Sequence, residues 1–403
     1  MKKQHYVFRT LITIILTAII TCTITTLTIY GKKDKNKTTE QAISQAMKSD
    51  ALDMKLKLIR DKITDTYLGD IDENNLMEYS IKGYVAGLND IYSAYFTPKE
   101  MSEYSDETNG KYVGIGISMI RDKKADKVKI YSVMENSPAE EVGLKEDDYI
   151  IKVDDKNITA DEFENISDYI KGKEGTKVKI VILRDSKELT FEIERRTVKV
   201  INVIGELVSD NIGYIRIKAF EGGVAKQFKD KYQELVNEGA KSLIIDLRDN
   251  GGGLVDEAIE IADLFTNKDE PLLIQADKNG NEEITKSKID KQINMKVSLL
   301  VNNESASASE ILTGIMKEKN RDNTQIIGET TYGKGVIQSL FQLSDGSGLK
   351  ITTNEYFTPN HNKINKVGIE PDIKIENDTD FLLKDRIEKD KDKQLQKAIE
   401  VLQ

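Results

Sequence analysis

The chain nearly lacks the residue types from which metal and hydrolytic sites are most often built: it has two histidines, one cysteine and no tryptophan in 403 residues. Clustered His/Cys metal ligation is thereby excluded, and no cofactor is implied. Cys22 sits within a long apolar run, so no intramolecular disulfide can form and a Cys/His nucleophile pair has no support. His5 lies just ahead of that run, which leaves His361 as the one histidine available to chemistry in a folded domain. Proline is also scarce, at five residues, while 38% of the chain is hydrophobic and 32% charged. That composition is globular, and the length suffices for two or three domains. A net charge of −10 without a basic stripe argues against a nucleic-acid partner.

What is present begins with residues 10–30, TLITIILTAIITCTITTLTIY, which carry no charge and are flanked by lysines and Arg9. The run is long enough to span a bilayer. It is long for a signal-peptide core, and no small-x-small site closes it, so a single uncleaved transmembrane helix is expected, with 1–9 as a short amino terminus. The flanking lysines do not fix its orientation. After a polar linker at 31–48, Leu52, Leu56, Ile59, Ile63 and Tyr67 mark one apolar helical face, continued by MEYSIKGYVAGL. From Tyr112 the pattern changes to short strand-like runs, VGIGI, VKIYSV, YIIKVD, VKIVIL and LTFEI, with a helix predicted in DEFENISDYIK. From Ile212 strands and helices alternate, NIGYIRI, VAKQFKDKYQELV, SLIIDLR, LVDEAIEIADLF, VSLLV and ASEILTGIMKEK, an α/β order. The last residues, from Asp378, are charged with a helical rhythm.

Three segments carry candidate chemistry. In VSLLVNNESASASEILTGIMK a strand runs through a polar turn and three alternating serines into a helix, whose first-turn N–H groups favour developing negative charge. Ser307 with Glu310 equally reads as a capping box that only starts the helix. In GETTYGKGVIQSLFQL, Lys334 precedes Gln338 by four residues; a lysine of lowered pKa can serve as general base to a serine, but Gly-Lys-Gly also reads as an exposed turn. In SLIIDLRDNGGGLVDEA, a buried strand ends in Gly251, Gly252 and Gly253. This lacks P-loop and dinucleotide spacing, leaving an oxyanion hole or a plain tight turn.

Together SASASE, GETTYGKGVIQ and DLRDNGGG resemble the C-terminal processing peptidases, or tail-specific proteases, which are Ser/Lys serine peptidases. The motifs stand in family order, and the resemblance extends to LNDIYSAYFTP, to the PDZ-like SPAEEVGLKEDDYIIKVDDKNI, and to TTNEYFTP with VGIEPDI. It implies Ser307 as nucleophile, Lys334 as general base and Gln338 as the group holding the lysine, with Ser305 and Ser309 as alternatives for the nucleophile. It implies an oxyanion hole from the amides of Ala308 and, in the glycine loop, Gly252. The PDZ-like module would capture a peptide's terminal carboxylate at Val113, Gly114, Ile115, Gly116 and Ile117, with Lys171 where relatives often carry arginine. The chain departs from the family pattern at Gly251 (commonly proline), Asn303 and Glu304, a lengthened stretch around NRDNT, Asp147 (a turn glycine) and Ile91 (proline).

The expected fold class is thus an α/β catalytic core with an inserted, mostly β PDZ domain, an N-terminal helical segment and a single N-terminal transmembrane helix. Its segments are 1–9 cytoplasmic, 10–30 anchor, 31–48 linker, 49–108 helical, 109–195 PDZ, 196–376 catalytic and 377–403 C-terminal helix. The expected function is a membrane-anchored serine endopeptidase acting outside the cytoplasm on proteins or peptides with exposed C-termini, a homo-oligomer being compatible. The family resemblance alone supplies that topology. Two alternatives stay open: a membrane-tethered PDZ binding protein with an inactive peptidase domain, and a Ser/His hydrolase using His361.

Overall fold

A computed structural model describes residues 39–376 and 390–403. The expected anchor at 10–30 lies outside them, and among the described residues no helix is long and apolar enough to cross a membrane. The chain divides into two compact units, 1–79 and 80–403.

In the first unit α1 (Thr39–Thr66) begins inside the stretch expected to be a linker. Its predicted apolar face is present but exposed at Leu52, Leu56 and Ile59. Helix α2 (Glu73–Ala86) follows and runs into the second unit.

The expected helical segment to residue 108 is interrupted by a strand, β1 (Ala94–Phe96). Helix α3 (Pro98–Thr108) then starts at a capping box: Thr97 Oγ1 accepts from Glu100 N–H, Glu100 Oε2 accepts from Thr97 N–H, and Pro98 fills the first helical position.

The next module comprises β2 (Lys111–Gly114), β3 (Ile117–Asp122), β4 (Lys127–Val133), α4 (Pro138–Glu141), β5 (Tyr149–Val153), β6 (Lys156–Asn157), α5 (Phe163–Ile170), β7 (Lys177–Arg184), β8 (Lys187–Glu194) and β9 (Arg196–Lys199). Strands β3, β4, β5, β7 and β8 form an antiparallel sheet in that order, with β6 paired to β5. Alternate residues Val178, Ile180 and Ile182 of β7 pack with Ile130, Ile150, Ile193 and Ile166 of α5 in its core. The predicted VGIGI strand is broken in two. Val113 and Gly114 end β2, which pairs with β9, whereas Ile117 opens β3, which pairs with β4. Gly116, at φ +82, makes the turn, and a Cβ there would stand 2.3 Å from Ser137 Cβ, so only glycine fits.

The catalytic module contains β10 (Val203–Ser209), β11 (Ile212–Ile217), α6 (Val224–Asn237), β12 (Ser242–Asp246), α7 (Val255–Asp263), β13 (Pro271–Asp277), β14 (Glu282–Lys286), β15 (Lys296–Val301), α8 (Ala308–Lys319), β16 (Thr324–Gly328), β17 (Val336–Gln342), β18 (Gly348–Phe357) and β19 (Ile373–Lys374), with α9 (Lys393–Leu402) at the end. The order β10-β11-β12-β15-β16-β19 is parallel except for β10. Successive residues serve opposite faces: Ile245, Leu299 and Ile326 pack under α6, α7 and α8, while Ile244, Leu300 and Ile327 pack under Leu395 and Ala398 of α9. The C-terminal helix is therefore packed; of the 377–403 expected for it, 377–389 lie outside the described residues. A second sheet, β1-β18-β13-β14 with β17 on β18, has no counterpart in the sequence reading. Strands β17 and β18 are half-buried and largely polar and so lack the continuous apolar runs that mark the first sheet, whereas β13 does carry a buried run, Leu272, Leu273 and Ile274, which the sequence reading did not single out.

Candidate functional site

Strand β15 delivers the chain to the serine run. Ser305 and Ser309 are wholly buried and their hydroxyls donate to the carbonyls of Leu247 and Asn250 at 2.8 and 2.9 Å, whereas Ser307 is 8% exposed. The outer two serines are thus fasteners between the serine turn and the glycine loop. Ser307 adopts φ 55, ψ −114, an uncommon conformation for a residue with a Cβ, at the N-terminus of α8. Its backbone is held on both sides: its N–H donates to Glu310 Oε2 at 2.9 Å, and its carbonyl accepts from Ile311 N–H at 2.9 Å and lies 3.1 Å from the Tyr356 hydroxyl.

Glu310 does more than cap a helix. Fully buried, it accepts from the Thr331 hydroxyl (2.6 Å) and the Gly333 N–H (2.7 Å) on Oε1, and from Lys334 N–H (2.9 Å) on Oε2 beside Ser307. One carboxylate therefore ties the backbone of Ser307 to that of Lys334. Burial pushes its pKa up against the pull of those four donors. Tyr356 adds a second tie, its hydroxyl lying 2.5 Å from the Lys334 carbonyl as well. Sequence reasoning saw Glu310 only as a capping partner and did not single out Tyr356.

Lys334 is not in an exposed turn. Burial, and next the neighbouring Lys350, hold its amine below the usual lysine range, while Asp90 and Glu310 oppose the shift. Its Nζ lies 4.5 Å from the centroid of the Tyr92 ring. No hydrogen bond joins Nζ to Ser307 Oγ or to Gln338 among the described residues. Gln338 Nε2 donates instead to Thr352 Oγ1 at 3.1 Å, across the β17–β18 pair. Lys334 precedes β17, so the four-residue spacing that was to align it with Gln338 does not run along one strand.

The glycine loop abuts the serine. A Cβ on Gly252, at φ +100, would stand 2.7 Å from Ser307 Cβ and 2.9 Å from the Ala308 nitrogen. The expected oxyanion pair is brought together in space. The Gly252 N–H, however, donates to Asn250 Oδ1 at 2.8 Å and is occupied, whereas Ala308 N–H has no hydrogen-bond acceptor among the described residues. Gly251 has open space around it, with no atom within 4 Å of an added Cβ.

In the PDZ module, a cavity of about 660 Å3 is lined by Val113, Ile117, Tyr112, Ser167 and Lys171, with Glu107 of α3 on its wall. Strand β3 is the edge of its sheet. Of the expected binding residues, Ile115 turns into the core and Gly114 lies against the Tyr112 ring, so its contribution and that of Gly116 are backbone. Asp147, standing where a glycine is usual, takes φ +71. His361 lies at the surface, hydrogen-bonded to Glu282 at 2.7 Å and stacked on Phe357.

Comparison with known proteins agrees with this geometry. Residues 211–375 match peptidase family S41, 113–194 the PDZ domain, and 15–100 the N-terminal domain of the activating protease CtpB. A CtpA-like serine protease of Staphylococcus haemolyticus is 36% identical over 78% of this chain and 62% of its own length. The carboxy-terminal processing protease CtpA of Bacillus subtilis is 34% identical over 80% of this chain and 68% of its own length. A solved structure from Bacteroides fragilis assigned to the S41 proteases shares the fold at TM-score 0.53 and 16% identity, covering 83% of this chain and 92% of that one. The serine turn, the lysine loop and the glycine loop converge in a chain that belongs to peptidase family S41, as a C-terminal processing serine peptidase with a PDZ domain.

Proposed function

We propose that this protein is a membrane-anchored endopeptidase that cleaves extracytoplasmic proteins or peptides recognised through their C-termini. Ser307 is the nucleophile, Lys334 the general base and Gln338 the group that orients the lysine in the assembled site. The lysine amine takes the Ser307 Oγ proton as Oγ attacks the scissile carbonyl. Charge developing on the carbonyl oxygen meets the Ala308 N–H and an amide of the glycine loop, Gly252 once Asn250 releases it. Collapse expels the amine, which takes its proton from the lysine, and water then releases the acyl group. The observation that carries this reading is the uneven treatment of the three serines: the hydroxyls of two are spent on backbone carbonyls, and the middle one stands in a strained backbone conformation beside the glycine loop.

The edge strand β3, the glycine turn and the adjoining cavity support capture of an extended peptide by its terminal carboxylate. The uncharged run at 10–30 supports a single-pass anchor in the cell membrane, with the catalytic part outside the cytoplasm. The apolar residues exposed on α1 support a homo-oligomer. No metal or organic cofactor enters the chemistry.

Substituting Ser307→Ala or Lys334→Ala should each abolish cleavage of an apolar-tailed peptide while leaving its binding intact; full activity in either variant sinks the dyad. The separation of Lys334 from Ser307 and the occupied Gly252 amide favour one second reading, a tethered PDZ binding protein with an inactive peptidase domain. A wild-type chain that binds such peptides but never cleaves them would establish that alternative.

A further inference from the structure

The dyad lysine has a partner the chemistry does not call for. The segment before β1 loops against β18 because Ala94, Tyr95 and Phe96 pair with Lys350, Leu349 and Gly348. This registers two aromatic rings under two lysines: Tyr92 lies 4.5 Å from Lys334 Nζ, and Phe96, stacked on Tyr104, lies 5.4 Å from Lys350 Nζ. The Tyr92 loop is itself fixed. Asp90 accepts from the Tyr92 N–H at 3.1 Å and from the Ser93 hydroxyl at 2.6 Å, and Ser93 Oγ accepts from the N–H of Thr352, whose side chain holds Gln338. The ring is thus anchored to β18, the strand whose Thr352 receives the side chain of the expected lysine-orienting group on β17.

An aromatic face attracts an ammonium and offers nothing comparable to a neutral amine. The lysine that must accept a proton thus has one aromatic contact that favours its protonated form, set against the burial and the Lys350 charge that hold its amine below the usual range, and it lacks a bond to the serine among the described residues. We propose that the Tyr92 ring is a positioning element for Lys334, a cradle that holds the ammonium in the unassembled site and from which the lysine transfers toward Ser307 and Gln338 when the site closes. This inference rests on the dyad reading and adds to it a residue outside the peptidase motifs. The charged and titratable groups facing Lys334 are Lys350 from β18, Glu310 from α8, and Asp90, Tyr92 and Tyr332 from the surrounding loops. Lys350 and burial disfavour the ammonium; Asp90, Glu310 and the Tyr92 face favour it.

The test follows amine labelling of Lys334 against pH in full-length Ser307→Ala protein, a readout that needs no turnover. Tyr92→Leu should move the labelling midpoint down by roughly half a pH unit. Tyr92→Phe, which keeps the face and loses the hydroxyl, should titrate with the parent. Pentafluorophenylalanine at position 92 keeps the ring's shape and reverses its quadrupole, so it should follow leucine and guards against a leucine variant that misfolds. In enzyme with Ser307 intact, the acid limb of kcat/KM should shift the same way. Leucine and pentafluorophenylalanine variants that titrate with the parent overturn the cradle, as does a phenylalanine variant that behaves like leucine. An active Lys334→Ala enzyme would instead refute the dyad while leaving the labelling result standing.

Discussion

Ser307 and Lys334 come from different loops, and the residue that joins them is Glu310. Its carboxylate accepts four hydrogen bonds, two of them from the backbone N–H groups of the two dyad residues. Truncation to alanine would strand four donors around a buried hole, at about 3 kcal/mol or more. Glu310→Gln is the sharper test, since an amide presents N–H groups where Oε2 now accepts from two. Glu310→Gln should fold with a lowered melting temperature and lose at least ~100-fold in kcat with little change in KM, because it disturbs the reacting geometry and leaves peptide capture alone. A variant with wild-type kcat would show the tie to be dispensable. The sequence made the proposed nucleophile and base legible through their motifs. It left the role of Glu310 hidden because a glutamate three residues into a helix has a sufficient local explanation as a cap.

At the scale of elements, the C-terminal helix reaches the site through one buried arginine. Arg248, which follows β12 and leads into the glycine loop, makes charge-assisted bonds with Asp246 and, through Nη1 and Nη2, with Asp392 at 2.9 and 2.8 Å. Asp392 also caps α9 by accepting from Leu395 N–H, so one side chain starts the helix and anchors it beneath the glycine loop. Asp392→Ala leaves the guanidinium short of a buried counter-charge and should cost about 3–5 kcal/mol. Unfolding by denaturant measures that loss, and a loss below about 1 kcal/mol would place the anchor elsewhere. The pH dependence has a definite sign. Burial acts to raise the Asp246 carboxyl, but Arg248 outweighs it and holds the folded-state pKa below the usual value. The stability from this ion pair is therefore present above the ordinary carboxylate range and is lost as pH falls through the lower folded value. The charged helical rhythm after Asp378 predicted a helix, but not its partner, since Asp392 and Arg248 are 144 residues apart.

Over the whole molecule, the PDZ module is an insertion with its own core, joined to the catalytic sheet system by β2 and β9. The cavity at the Val113–Ile117 turn is bounded by α3, so a peptide captured as proposed would meet a wall that belongs to neither the PDZ sheet nor the proposed dyad. A substrate peptide with a free C-terminal carboxylate should bind at least ~10-fold more tightly than the same peptide amidated, read by calorimetry on Ser307→Ala protein, because the proposed capture depends on a terminal charge that amidation removes. Equal affinities would remove carboxylate capture from the reading.

The sequence by itself determined the class of chemistry. With two histidines and one cysteine it ruled out the commoner devices, and strand, turn and helix signals around its serines, lysine and glycines carried the family likeness. It also determined the α/β order and the PDZ strands other than VGIGI, which the Gly116 turn divides, since each is a local pattern of apolar residues read over a few positions. Only the tertiary structure decided that Ser305 and Ser309 are tied to distant backbone carbonyls, that Gln338 is held by Thr352, that the Gly252 amide is occupied by Asn250, and that Tyr92 lies under Lys334. Most of those facts depend on contacts between loops far apart in the chain. Hydrophobic periodicity reports which face of an element is buried and carries no information about which distant backbone group its polar side chains will meet.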